Sequence, residues 1–146
     1  MSGGDLLMNY IEVNGGRKVE RELADRIISW CVFKLLPRHS TLEITLNFEE
    51  LEKAFGYCLE GDTNSEFELS ISKSLPVEDL VATICHEMIH VKQYARRELR
   101  CVDGKILWKE KDYSKSKYED CPWEREAYDM ESKLAEDCIV ELELCF

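Results

Sequence analysis

The chain lacks the features that would direct it to a membrane, a nucleic acid or an export pathway. No apolar run approaches the roughly 20 residues that a helix needs to span a bilayer. Residues 1–5 lack the basic and apolar regions of a signal peptide. The chain has fewer basic than acidic residues, 19 against 30, and a net charge of −11. Nucleic acids and anionic membranes are bound through basic surfaces. We therefore expect neither as a partner, and we expect a cytoplasmic protein.

Paired cysteine motifs are also missing. The seven cysteines are spread along the chain, and no two of them form a Cys-x-x-Cys pair. We therefore do not expect a zinc ribbon. The odd number, together with the lack of an export signal, favours a reducing compartment in which most of these thiols pack as small hydrophobic residues.

One stretch of the sequence carries a pattern with recognisable chemistry, namely His86-Glu87-Met88-Ile89-His90. Pro76 suits the start of a helix, and on that helix the two histidines, four residues apart, share one face. The remaining positions are mostly apolar, which predicts a buried helix whose polar groups need partners. The pattern predicts that His86 and His90 bind zinc and that Glu87 acts on a zinc-bound water. The alternatives are hydrogen-bonded core histidines, or a zinc site without catalytic activity.

A catalytic zinc ion takes three protein ligands and one water, so a third ligand is needed. The only other histidine, His39, precedes the motif, and its sequence context is that of a surface loop. This excludes the classes of zinc hydrolase with a downstream histidine ligand. Glu124 is favoured because it falls within the apolar face of a helix that begins at Pro122, where an unpaired carboxylate is costly. The other candidates are Glu126, Cys121 and Asp129.

Hydrophobic periodicity predicts an α+β domain that comprises the whole chain, residues 1–146. Helices are predicted over residues 17–36, 47–55, 76–99 and 122–142. Strands are predicted over residues 9–13, 41–47, 57–60 and 66–72, the last two forming a hairpin. Residues 101–120 are predicted as loop with a little strand at 106–108. We expect a short mixed or antiparallel sheet packed on the motif helix and on the C-terminal helix. The strand at 66–72 is either a free edge that an extended substrate could join or an ordinary strand within the sheet, and its periodicity does not distinguish the two.

The motif helix, followed by Pro122-Trp123-Glu124-Arg125-Glu126-Ala127-Tyr128, resembles the gluzincins, zinc metallopeptidases with a glutamate as third ligand. The pattern looks most like small intracellular members labelled SprT-like, from bacteria and phages. Minigluzincins and ImmA/IrrE-type peptidases are more distant in pattern. The resemblance covers about residues 79–130. Two departures are that Tyr128 stands where many gluzincins have Asp or Asn, and that SprT-type proteins use a third histidine.

The resemblance implies a zincin-like fold with one Zn²⁺ held by His86, His90 and Glu124. It also implies a monomeric metalloendopeptidase that acts on protein or peptide substrates, with Glu87 as general base and then general acid. The oxyanion needs a second donor, for which the tyrosine candidates are Tyr113, Tyr118 and Tyr128. Two competing hypotheses are an inactive, zinc-stabilised interaction domain with an acidic surface, and a self-inhibited protease whose residues 140–146 cover the cleft.

Overall fold

The computed structural model describes residues 8–145 of the chain, which contain three helices and seven strands. The helices are α1 (Lys18–Leu35), α2 (Val77–Ala95) and α3 (Pro122–Glu141). The strands are β1 (Tyr10–Asn14), β2 (Glu43–Glu49), β3 (Gly56–Glu60), β4 (Glu66–Ser72), β5 (Leu99–Val102), β6 (Lys105–Trp108) and β7 (Lys111–Asp112). A 3-10 turn at Tyr118–Asp120 precedes α3. The predicted α+β class is therefore confirmed.

The main sheet has four strands in the order β1-β2-β4-β3. Strands β1, β2 and β4 are parallel, whereas β3 joins β4 as an antiparallel hairpin. Alternation of apolar and polar residues places one face of β2 and β4 against the helices. The inward residues are all at most 4% exposed, and they are Ile44, Leu46, Phe48, Phe67, Leu69 and Ile71.

Helix α2 lies at the centre of the molecule, in contact with α1, α3 and the main sheet. Leu80, Val81 and Ile84 are at most 2% exposed, and Met88 and Ile89 are fully buried. The helix ends at Ala95, because Arg97 takes a left-handed backbone, φ 63, and the N–H of Glu98 donates to the carbonyl of Gln93. It therefore ends four residues earlier than the sequence predicts. No helix within residues 8–145 combines the length and the hydrophobicity that a membrane span requires.

One sequence prediction near the main sheet is wrong, and one open alternative is decided. Residues 47–55 do not form a helix, because β2 continues to Glu49 with Phe48 buried, and irregular chain follows. The side chain of Asn47, predicted as a helix cap, instead donates to Glu68 and accepts from Asn14. Strand β4 is not a free edge, because β2 and β3 flank it on both sides. The free edge at this end of the sheet belongs to β3.

The segment predicted as mostly loop contains a second, three-stranded sheet formed by β5, β6 and β7. All its pairings are antiparallel, and tight turns connect its strands. Its Trp108 lies 6.5 Å, centroid to centroid, from the ring of Trp123. The small sheet thereby packs against the beginning of α3.

Candidate metal centre

Helix α2 presents His86 and His90 on one face, as their spacing of four residues predicts. Their ring centroids lie 5.0 Å apart and the rings are nearly perpendicular. The side chains are only 12% and 9% exposed. A half-buried and a buried imidazole therefore converge on one point at the surface of α2.

Glu124 reaches the same point from the first turn of α3. Its Oε1 atom lies 3.5 Å from Nε2 of His86 and 3.3 Å from Nε2 of His90. The three potential ligand atoms all lie within 4.8 Å of one another. Glu124 Oε1 is buried and makes no well-aligned hydrogen bond to any described residue. A buried carboxylate oxygen in this situation is costly unless a cation compensates it. His86, His90 and Glu124, here termed the metal-binding group, can therefore hold a metal ion.

The site favours an ionised Glu124. Burial opposes its ionisation, but the close approach of His86 and His90 outweighs burial and lowers the pKa of the Glu124 carboxyl to about 2. An ionised carboxylate and two imidazole nitrogens form a donor set typical of zinc sites in proteins.

Glu87 lies beside this donor set, at the wall of the same cleft. The residue is 6% exposed, and burial raises the pKa of its carboxyl, against the opposing effect of the two histidines. A raised pKa makes a glutamate carboxylate a stronger base, which suits a group that accepts and returns a proton. The geometry is therefore compatible with the role predicted for Glu87.

Each histidine has a polar partner behind it. The Nδ1 atom of His90 lies 2.8 Å from Oε1 of Gln93, in a buried hydrogen bond. The Nδ1 atom of His86 lies 2.9 Å from Oε1 of Glu131, in an ion-pair contact that is not aligned as a hydrogen bond. Partners at Nδ1 orient the rings and leave Nε2 to face a metal.

The other ligand candidates lie elsewhere. Glu126 binds Lys92 and Gln93, whose contacts outweigh the effect of burial and lower the pKa of its carboxyl. The thiol of Cys121 donates to the carbonyl of Lys117, and Asp129 is exposed. None of these three residues belongs to the metal-binding group found among the described residues. His39 does not belong to it either.

The metal-binding group lies in a cleft of about 520 Å³. Strand β3 and the irregular chain before it form one wall, and the start of α3 forms another. Aromatic side chains line much of the cleft, namely Phe55, Tyr57, Tyr94, Tyr118, Trp123 and Tyr128. The Tyr128 ring centroid lies 4.9 Å from that of His86, whereas Tyr113 packs edge-on against Trp123. Tyr118 and Tyr128 thus remain the oxyanion candidates.

The C-terminal segment packs on α1. The side chain of Arg26 donates to the carbonyl of Leu142, and Lys34 forms an ion pair with Glu141, with Nζ 3.1 Å from Oε2. Leu142 and Leu144 pack against the hydrophobic core. Residues 140–145 are not among those that line the cleft, so the proposed self-inhibition has no support here. Residue 146 lies outside the described part of the chain.

Reasoning from the sequence missed Gln93 and Glu131. Gln93 lies three residues after His90, a spacing that puts both on one helix face, and this signal could have suggested it. Glu131 lies on α3, and no local pattern pairs it with His86 on α2. Its contact depends on the way the two helices pack.

No protein-family model matches the chain, and no curated protein or solved structure is significantly similar to it.

Proposed function

We propose that this protein is a zinc-dependent metalloendopeptidase of the gluzincin type. The single observation that carries the proposal is the convergence of His86, His90 and Glu124 within ligand distance, with Glu87 in the same cleft. Structural zinc sites are usually closed by four protein ligands, whereas hydrolytic sites keep a position open for water. Three side chains make up the metal-binding group found in residues 8–145. This supports the catalytic type of site.

The proposed mechanism uses Glu87 for proton transfer. When bound, zinc lowers the pKa of a water ligand toward 7 and polarises a substrate carbonyl. Glu87 accepts the proton of the attacking water as the new C–O bond forms, and it donates that proton to the leaving amine as the C–N bond breaks. The hydroxyl of Tyr118 or Tyr128, both at the cleft wall, is suited to stabilise the negative charge on the carbonyl oxygen.

Strand β3 offers a place for an extended substrate. Among the described strands β3 pairs only with β4, so its other edge carries unpaired backbone groups. Tyr57 and Cys58 of this strand line the cleft. A peptide that adds to β3 as a further strand would run past the metal-binding group. Protein or peptide substrates are therefore favoured over small molecules.

A second candidate function is a zinc-stabilised interaction domain without catalytic activity. The observation that favours it is the outer face of the main sheet, where Glu43 and Glu66 are register neighbours on parallel strands and Glu68 lies opposite Thr45. Like charges placed side by side destabilise a sheet and suit a basic partner. This hypothesis requires bound zinc but no hydrolysis.

The experiment that tests the proposal combines metal analysis with a cleavage assay. We expect one zinc ion per chain, and we expect the zinc-loaded protein to cleave members of a random peptide mixture followed by mass spectrometry. Glu87→Gln should keep the zinc and reduce cleavage by about 10²–10⁴-fold, the usual contribution of a general acid–base residue. The matched control is Glu78→Gln, an exposed position on the same helix, which should cleave like the wild type. Bound zinc without cleavage by the wild type would favour the interaction domain.

A further inference from the structure

A buried hydrogen-bond network lies directly behind the metal-binding group, and it connects the two helices that supply the ligands. Its centre is Gln93 of α2, which is fully buried. The Oε1 atom of Gln93 contacts Nδ1 of His90 at 2.8 Å, while its Nε2 atom donates to the carbonyl of Trp123 at 2.9 Å and to Glu126 Oε1 at 3.1 Å.

The two acceptors determine the orientation of the Gln93 amide. A carbonyl and a carboxylate both accept hydrogen bonds, so the nitrogen of the amide must face them. The amide oxygen then faces His90, and an oxygen can only accept. His90 must therefore carry a proton on Nδ1, so that in the neutral ring Nε2, which lies 3.3 Å from Glu124 Oε1, is the nitrogen that can bind a metal.

Glu126 forms the second half of the network. Its Oε1 atom accepts from Gln93 and also from Lys92 Nζ, at 2.9 Å. Lys92 is only 7% exposed and also lies 2.9 Å from Glu98 Oε1, at the start of the small sheet. Gln93 also binds the carbonyl of Trp123. Helix α2 therefore contacts the start of α3 at Trp123 and at Glu126, one on each side of Glu124 in the sequence.

We propose that Gln93 and Glu126 are positioning residues of the metal site: Gln93 selects the tautomer of His90, and Glu126 holds Gln93 and the first turn of α3 so that Glu124 faces both histidines. This inference rests on the metal site of the proposed function, but it does not require hydrolysis. It also gives Glu126 a role other than that of a ligand.

The first test measures zinc affinity by competition with a chromophoric chelator. Gln93→Leu and Glu126→Leu should each bind zinc about 10–100-fold more weakly, because each removes a hydrogen-bonding residue that helps to orient the metal ligands. Glu126→Gln keeps an acceptor oxygen and should stay within about threefold of the wild type. Glu136→Leu, an exposed position on the same helix, is the matched control and should bind like the wild type.

The second test reads the tautomer of His90 directly. In ¹⁵N–¹H spectra of the zinc-loaded protein, His90 should show a protonated Nδ1 and an Nε2 shifted by metal. Gln93→Leu should change the Nδ1 signal of His90 and leave that of His86 in place. If Gln93→Leu does not fold, Glu126→Leu still tests the network, because the Glu126 side chain is 23% exposed and tolerates change better. Folding is checked by urea denaturation of the metal-free variants.

Two results would overturn the inference. One is zinc affinity in both leucine variants equal to that of Glu136→Leu. The other is Glu126→Gln binding as weakly as Glu126→Leu, which would show that the acceptor oxygen has no role. Because neither readout uses cleavage, a protein that binds zinc as expected but hydrolyses nothing would refute the proposed function and leave this inference standing.

Discussion

Replacement of Glu20 with alanine should destabilise the fold by about 2–4 kcal/mol, because this buried carboxylate joins the start of α1 to the loop before α2. The side chain is 6% exposed and accepts from the N–H of Arg17 at 2.9 Å and from the N–H of Ser74 at 3.1 Å. Ser74 has a left-handed backbone, φ 60, two residues before Pro76. The loss would therefore leave a backbone donor without its acceptor next to the helix that carries the histidines.

The magnitude follows from the two backbone bonds. A helix cap contributes about 0.5–2 kcal/mol, and a hydrogen bond to a charged group about 1.5–3 kcal/mol. The ion pair with the Arg17 side chain, which is 72% exposed, is screened by solvent and adds little. For a chain of this length the sum corresponds to a fall in Tm of about 6–14 °C.

The assay is urea denaturation of the metal-free protein, with zinc removed by a chelator so that binding does not contribute. The matched control is Glu22→Ala on the same helix, where an exposed pair with Lys18 at 3.8 Å should contribute less than about 0.5 kcal/mol. A Glu20→Ala variant as stable as Glu22→Ala would refute the reasoning.

The same site predicts a pH dependence. The backbone N–H of Arg17 lowers the pKa of Glu20 from 4.5, against the opposing effect of burial, and the Arg17 side chain and the Ser74 N–H add to the lowering. A carboxyl with a lowered pKa in the folded state stabilises the protein above its unfolded pKa. That stabilisation is lost as the pH falls through the folded pKa. The stability difference between the wild type and Glu20→Gln should therefore be constant near neutrality and shrink below about pH 4.5.

Two further predictions concern other parts of the molecule. Glu124→Ala should weaken zinc binding by more than the roughly 10–100-fold expected when a residue that only positions a ligand is replaced. Asp129→Ala, at an exposed position on the same helix, should leave the zinc affinity unchanged. Equal affinities of the two variants in chelator competition would remove Glu124 from the ligand set. In the native protein a thiol-specific chromogenic reagent should react first with the exposed Cys101 and Cys145. The buried Cys138, whose pKa is raised by its hydrogen bond with Cys85 and by burial, should react only after unfolding; rapid reaction of all seven cysteines would contradict the packed arrangement.

Local patterns were sufficient to predict most of the elements. The alternation of Leu42, Ile44 and Leu46 predicts a half-buried strand, and Pro76 and Pro122 predict the starts of α2 and α3, because side-chain spacing and the fixed φ of proline act within a few residues. The placement of His86 and His90 on one face is equally local. These features need no knowledge of the rest of the fold.

Predictions failed where two local preferences competed. Residues 47–55 have the spacing of a capped helix, yet Phe48 extends β2 because the core receives its side chain. Alternation within β4 does not reveal whether this strand lies at an edge of the sheet, because the strands beside it are set by tertiary pairing. Of the small sheet, the sequence predicts only the strand at 106–108, which is confirmed as β6; β5 and β7 are not predicted because they are only four and two residues long.

The sequence by itself determined the helix that carries His86, Glu87 and His90, because a period of 3.6 residues is a property of the local backbone. It also narrowed the candidates for a third metal ligand to a short stretch that begins at Cys121, with Glu124 favoured. Only the tertiary structure decided which group of that stretch faces the two histidines. The packing of α2 against α3 brings Glu124 to the imidazoles and turns Glu126 toward Lys92 and Gln93. That choice depends on contacts between residues more than thirty positions apart, which no local pattern encodes.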